Sequence, residues 1–582
     1  MSTLPKNMNL PRHTLILLPL LLVACAHTPG GKGNAENAPT GPARVVEVEP
    51  VLPALALDER MLYEFLLGDI ALQRGRPELA GQAYRDLAKM TRDPRVARRA
   101  AQITFESRQM DKALESFRLW QELEPSAPLP KQMLVSLLLS GGKLDEARPH
   151  AERLLAEDVK NTGRVFLQFH PFLMRLPNKS AGLDWAAGVA GPYPNVAEAH
   201  WLVAQLAAQA GNKELALGEA QQAAQLRPEW DAAVMFEAQL LLPKEPGKAF
   251  ERLRKVLDAR PASKELRLFY ARALLEQKHY AESRGQFQQL LTANPDNTEL
   301  AFAVALLSLQ MGELERAERE LQETLRRGKK DAGTVHYYLA QLNEAKKDEA
   351  AALAQYRQVQ DGEYVYASRL RETYLLDKAG RQEEARAALK RAPVVNNQQR
   401  VTVVLIEAQM LRDAKQFEAA YQLLTDSLEK LPNHPQLLFE AAMTADKLGK
   451  PEVFEQMLRK VLRVAPDHAH AYNALGYSLL ERNVRVDEGM RLVEKAYELE
   501  PGDAAITDSM GWGYYRLGQL DKSAEFLRRA FSVSQDPEIA MHLGEVLWMQ
   551  GSKDEARKIW DDALRAHPDN ESLRQLIKRF TP

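Results

Sequence analysis

The chain has 582 residues, with 77 Lys and Arg set against 79 Asp and Glu for a net charge of -2. That balance excludes the basic stripe and high pI of a nucleic-acid binder, and the length exceeds what a single hydrophobic core organises. The single cysteine, Cys25, rules out both an internal disulfide framework and a multi-cysteine zinc site. Abundant Ala, Leu, Glu, Gln and Arg, with few strand formers, point to an all-α chain.

Lys6, Arg12 and His13 precede an apolar run from Leu15 to Val23. About nine residues is too short to span a bilayer as a helix. The pattern is that of a secretory signal over residues 1–24. Its last residues, Leu22-Val23-Ala24-Cys25, resemble the bacterial lipobox. The resemblance implies cleavage before Cys25, a diacylglycerol on its thiol, and stable anchoring through several acyl chains. Ala26 stands where Gram-negative lipoproteins retained at the inner membrane commonly carry aspartate, so the resemblance implies the periplasmic face of the outer membrane. Residues 25–56 are then the lipidated cysteine and a Gly-, Pro- and Ala-rich tether. Such a composition cannot bury enough surface to fold, and its root-mean-square reach is roughly 30 Å.

From residue 57 onward small residues recur with a fixed period. The clearest window is Glu538–Asn570, with Gly544, a turn at Gly551, Ala556, Ala563 and Pro568. Gly544 and Ala556 sit where two helix backbones approach, and Trp560 is the large residue that fills the space beside them. This resembles the tetratricopeptide (TPR) repeat, a helix pair with a period of about 34 residues. Earlier windows carry Gly68, Gly75 and Ala80, then Ala101 and Ala113, then Gly142 and Ala147. His170-Pro171, Leu176-Pro177 and Gly191-Pro192 interrupt the pattern over 161–195. It returns with Ala204, Gly211 and Ala216, and closing prolines fall at Pro228, Pro261 and Pro295. A second irregular junction lies near 390–400, after which Pro432, Pro466 and Pro501 restore the spacing. The expectation is a right-handed TPR α-solenoid superhelix of roughly 14–15 helix pairs over 57–570. It is expected to be continuous through both irregular stretches. Residues 571–582, with Leu573, Leu576, Ile577 and Phe580, suit a capping helix.

No catalytic constellation is present. The sequence lacks a Gly-x-Ser-x-Gly elbow, a His-Glu-x-x-His metal motif and a Gly-Lys-Ser/Thr phosphate loop. No enzymatic activity, cofactor or metal is expected. His468 and His470, two residues apart on a helix, point to different faces. Binding is the expected role, and two places stand out. In TPR arrays the first helix of each pair lines the concave groove, and in the last repeats those positions hold Tyr477, Trp512, Tyr515 and Trp548. Aromatic side chains of this kind dominate binding hot spots. At the other end, Leu57–Leu72 carries apolar residues most of the way around its helix, where a terminal solenoid helix normally turns a polar side outward. Leu62, Phe65 and Leu66 are therefore candidate docking residues, covered either by the tether or a preceding short helix, or by a partner protein.

A long TPR superhelix on an outer-membrane lipoprotein tether resembles the LbcA-type lipoprotein adaptors of periplasmic carboxyl-terminal processing proteases. Length, repeat number and the lipobox at Leu22–Cys25 carry the resemblance over essentially the whole chain. It implies a scaffold that binds such a serine protease and recruits its substrates, peptidoglycan hydrolases among them. The organisation also resembles TPR lipoprotein scaffolds of exopolysaccharide export, and, as a third reading, envelope- or pilus-assembly factors. An over-apolar helix at one end and an aromatic groove at the other give the two binding ends that an adaptor needs.

Overall fold

The computed structural model describes residues 53–329 and 331–580; Cys25, the signal and most of the tether lie outside the described residues. Among the described residues the chain forms 31 α-helices and one 3-10 turn, with no strand. None of these helices is long and apolar enough to cross a membrane. The described residues divide into two compact units at Arg327/Gly328.

In the first unit the helices pair as α1 (Glu59–Gln73) with α2 (Pro77–Thr91), α3 (Pro94–Glu106) with α4 (Met110–Leu123), and α5 (Pro128–Ser140) with α6 (Leu144–Glu157). Then come α7 (Thr162–Leu173) with α8 (Lys179–Ala190), α9 (Ala197–Gln209) with α10 (Lys213–Leu226), and α11 (Asp231–Leu241) with α12 (Pro246–Ala259). Helices α13 (Lys264–Glu276), α14 (Tyr280–Ala293), α15 (Thr298–Gln310) and α16 (Leu314–Arg326) complete it.

The second unit holds α17 (Ala332–Ala345), α18 (Glu349–Gln358), α19 (Val365–Lys378), α20 (Gln382–Lys390), α21 (Asn397–Asp413) and α22 (Phe417–Lys430). It continues with α23 (Pro435–Lys447), α24 (Pro451–Val464), α25 (Ala469–Glu481), α26 (Val486–Leu499), α27 (Ala504–Arg516) and α28 (Leu520–Val533). Helices α29 (Pro537–Met549) and α30 (Lys553–Ala566) form the last pair, and α31 (Glu571–Phe580) closes the chain. Fifteen pairs and a final helix make a TPR α-solenoid.

Several pairs close on a fit between a small residue on the first helix and a neighbour on the second. A Cβ added at Gly544 would lie 2.0 Å from Trp560 Nε1, and one at Gly511 would lie 2.5 Å from Leu527 Cγ. Gly476 faces Gly489 and Val493 in the same way, so backbones touch where side chains are smallest. The turn after the first helix ends in a left-handed residue: Gly551 has φ +89°, and the Ser552 N–H returns to the Leu547 carbonyl at 2.9 Å. This bond satisfies a helix-end carbonyl that would otherwise be orphaned. Lys278, Lys347 and Lys415 hold the corresponding left-handed place in other pairs, with no glycine at the turn.

The irregular stretches are also helical. Pro171 stays inside α7, two residues from its end, and only Pro177, Pro192 and Pro194 fall in connections. The unit boundary instead coincides with Arg327-Gly328-Lys329, which replaces the closing proline of its window. At the C-terminus Leu573 of α31 is fully buried, and Phe580 packs against Trp548 and Trp560.

The fit gives a paired expectation. Gly544→Ala overpacks against Trp560 and should cost about 1–3 kcal/mol. Gly218→Ala, inside α10 with nothing within 4 Å of its Cβ, should stabilise by roughly 0.5–1 kcal/mol. Urea or thermal unfolding followed by circular dichroism checks both signs.

Candidate functional site

The first helices of the last three pairs, α25, α27 and α29, bring three of the four aromatic groove residues together. Trp512 is 4% exposed. Its ring stacks on His542 at 4.1 Å, lies 4.9 Å from Tyr515, and has the Arg516 guanidinium 4.9 Å from its centroid. The Trp512 indole N–H donates to Glu481 Oε2 at 2.8 Å. Tyr515 is half-buried and donates its hydroxyl to Glu545 at 3.0 Å. Burial first, and then Glu545, push the Tyr515 hydroxyl up to about 12.

Tyr477 reaches further. From α25 its hydroxyl donates to Glu538 of α29 at 2.8 Å and lies 3.4 Å from His542 Nε2. The contact passes over α27 and joins first helices two repeats apart. Burial and the Glu538, Glu481 and Asp508 carboxylates all raise the Tyr477 hydroxyl well above its ordinary value. The fourth residue, Trp548, stands apart. It stacks on Trp560 at 5.8 Å, is flanked by Lys553 and Arg557, and is partly covered by Phe580 of α31.

At the centre of the cluster is a pair for which the sequence gives only an indirect sign. His542 Nδ1 and Asp508 Oδ2 are 2.8 Å apart, and each side chain is 7% exposed. The two are 34 residues apart, one repeat period, so adjacent first helices set them side by side. Burial pulls the imidazole toward neutrality, but Asp508, with Glu538 and Glu481 behind it, outweighs burial and raises His542 above its usual value. Glu481, Asp508, Glu538, His542 and Glu545 therefore join the three aromatic residues in one acidic and aromatic patch.

The docking candidates on α1 are placed differently. Leu62, Phe65 and Leu66 are 44%, 45% and 47% exposed, and Tyr63 and Ile70 are exposed with them. The opposite side of α1 is fixed: Gly68 lies against the Tyr84 ring, whose hydroxyl donates to Asp69 at 2.5 Å. Phe65 touches Tyr84 edge-on at 6.3 Å, so it belongs partly to the packing and partly to the surface.

Among the described residues one group has metal-ligand spacing, His470, Glu500 and Asp503, with donor atoms within 4.8 Å of one another. Asp503 already caps α27 by accepting from Ile506 N at 2.8 Å, and His470 and Glu500 are exposed. His468 faces elsewhere, stacked on Phe439 and accepting from Ala471 N.

An array of helix pairs whose first helices share one polar and aromatic face is a protein-binding scaffold of the TPR class. TPR repeat families match residues 65–128, 302–364 and 509–571, and residues 240–291 and 411–476. A Pseudomonas aeruginosa protein, the TPR repeat-containing protein PA4667, is 33% identical over 526 residues, covering 90% of this chain and 89% of that protein. The chain belongs to this family of TPR repeat-containing proteins. Cellulose synthase operon protein C of Pseudomonas fluorescens is 23% identical over 336 residues, covering 48% of this chain and 26% of that protein. Among solved structures, the Cut9–Hcn1 heterotetramer of the APC/C is 13% identical with a TM-score of 0.30, covering 84% of this chain and 97% of that chain.

The raised His542 value fixes a pH dependence. A group whose folded pKa exceeds its unfolded value near 6.5 contributes fully below that pH and loses the contribution as pH climbs through the folded value. His542→Gln keeps a donor for Asp508 but not the charge. Its melting temperature should fall further below wild type at about pH 6 than at about pH 9. Equal deficits at the two pH values would contradict an ionised pair.

Proposed function

We propose that this chain is a TPR scaffold lipid-anchored at Cys25 to the periplasmic face of the outer membrane. There it binds a periplasmic carboxyl-terminal processing protease and brings peptidoglycan hydrolases to it for degradation. The observation that carries the reading is the outward face of α1, where Leu62, Tyr63, Phe65, Leu66 and Ile70 are all exposed. Each of these side chains is about half exposed, so covering it is worth about 1 kcal/mol, and together they favour a partner at the start of the array. The aromatic and acidic patch of α25, α27 and α29 supplies a second surface. The lipobox at Leu22–Cys25 supports the anchor. Holding protease and substrate on one scaffold raises their effective concentration, and the chain itself supplies no nucleophile.

A second reading, a scaffold of an exopolysaccharide-export complex, is favoured by the match to cellulose synthase operon protein C. This chain spans 26% of that relative.

Affinity purification from detergent-solubilised envelopes separates the two. A co-purifying protease, with hydrolases accumulating when the scaffold is deleted, fits the first reading. A co-purifying porin with loss of polymer fits the second. The variant Leu62→Glu/Phe65→Glu/Leu66→Glu should reduce protease capture at least about tenfold. Deletion of residues 54–72 should abolish it. Because Tyr84 and Asp69 are untouched in the triple variant, its thermal melting serves as the control for folding. Undiminished capture by a folded triple variant would overturn the docking assignment.

A further inference from the structure

The tether sequence is not uniform along its length. Residues 26–43 contain no large apolar residue, whereas Val45, Val46, Val48, Val51 and Leu52 crowd the stretch just before the described chain begins at Pro53. Leu55 and Leu57 continue that run up to α1. Asp58 caps α1 by accepting from the Met61 N–H at 2.7 Å. Leu57, just before the cap, and Leu62, four residues after it, stand at the two positions of a hydrophobic staple, which sets the angle at which a chain enters its helix. They are 72% and 44% exposed, so both have apolar surface left to cover.

The face that this run adjoins is open from one end of α1 to the other, through Leu62, Tyr63, Phe65, Leu66 and Ile70. Its length matches the run. Fifteen helical residues span about 22 Å, and the seven residues 46–52, extended, span about 23 Å. A segment turning back at Pro53, beside the start of α1, therefore reaches its last turn. In an extended chain Val46 and Val48 share one side, and Glu47 and Glu49 the other. The far end of α1 carries exposed Arg74 and Arg76, to which Glu47 is brought by this path. The Asp69 carboxylate is already engaged by the Tyr84 hydroxyl. Pro50 has no N–H to leave unpaired on such a path.

We propose that residues 46–52 lie antiparallel along the outer face of α1 and cover it until a partner displaces them. The occupant is the chain's own segment because it is joined to the face by a handful of residues. Such a link gives an effective concentration of millimolar order, against which a second copy or a foreign protein has to compete. A partner then binds α1 with an affinity lowered by the fraction of chains that stand uncovered. The covering itself needs no partner, and its displacement rests on the docking reading above.

The test compares the full-length chain with Val46→Ser/Val48→Ser/Val51→Ser/Leu52→Ser, whose four positions precede the first repeat and leave its packing intact. Amide hydrogen exchange over 59–73 should be about tenfold faster in the variant, and exchange over the remaining repeats should not change. In a chain with Cys25→Ser, the pair Val48→Cys/Ile70→Cys should be joined within one molecule by a short bismaleimide at low protein concentration. Unchanged exchange over 59–73, or cross-links formed only between two chains, overturns the proposal. Protease capture is measured in parallel and should rise about tenfold in the serine variant. Faster exchange with unchanged capture supports the covering and sinks the docking reading alone. Unchanged exchange, with capture still lost in Leu62→Glu/Phe65→Glu/Leu66→Glu, sinks the covering alone.

Discussion

Everything in this molecule depends on how closely two helices of a pair can approach. At Gly544 the neighbouring backbone is near enough that Trp560 occupies the space of a Cβ, and Gly511 and Gly476 repeat the arrangement against Leu527 and Val493. The large residue of the second helix is thereby held fully buried, as Trp560 is. Dense packing of this kind fixes the angle of the pair, and the pair in turn presents its first helix to the next one. The aromatic and carboxylate side chains of α25, α27 and α29 meet because three such closures occur in succession. The patch is a product of the small residues beneath it.

The fold was legible for the same reason. Glycine or alanine at the close approach, a turn residue and a closing proline recur together, and a one-period signal of that strength survives local departures. What was not legible follows from the limits of those markers. A left-handed turn can be made by lysine, so Lys278, Lys347 and Lys415 end first helices without a glycine to announce them. Proline near the last turn of a helix loses few bonds, so Pro171 sits within α7. Nor could the sequence show which ion pairs link successive repeats, as Arg85 with Glu115 and Arg528 with Glu555 do, and which join neighbours on one helix, as Arg459 with Glu455.

At the candidate surfaces the register of the aromatic residues was visible and their surroundings were not. Tyr477, Trp512 and Tyr515 do come together, yet Trp512 is enclosed by His542, Tyr515 and Arg516 and presents little of itself to solvent. Asp508 and His542 could have been found by asking which ionisable residues lie one period apart. On α1 the sequence pattern and the structure coincide, since a helix apolar on all sides can bury only one of them. Leu62 and Leu66 are left outside while Gly68 and Ala71 are buried.

The Tyr477–Glu538 bond has a consequence for cooperativity. Where units couple only to their immediate neighbours, an array frays from its end one unit at a time, each step weighted by a single interface. A tie between α25 and α29 adds a next-nearest-neighbour coupling that skips α27. The terminal pair cannot detach without also breaking a bond to the pair two positions inward, and the middle pair is clasped from both sides. Fraying of the terminal pair therefore costs one further hydrogen bond, a net of about 0.5–1.5 kcal/mol, beyond its single interface. A partner that held Tyr477 and Glu538 together would strengthen the same coupling.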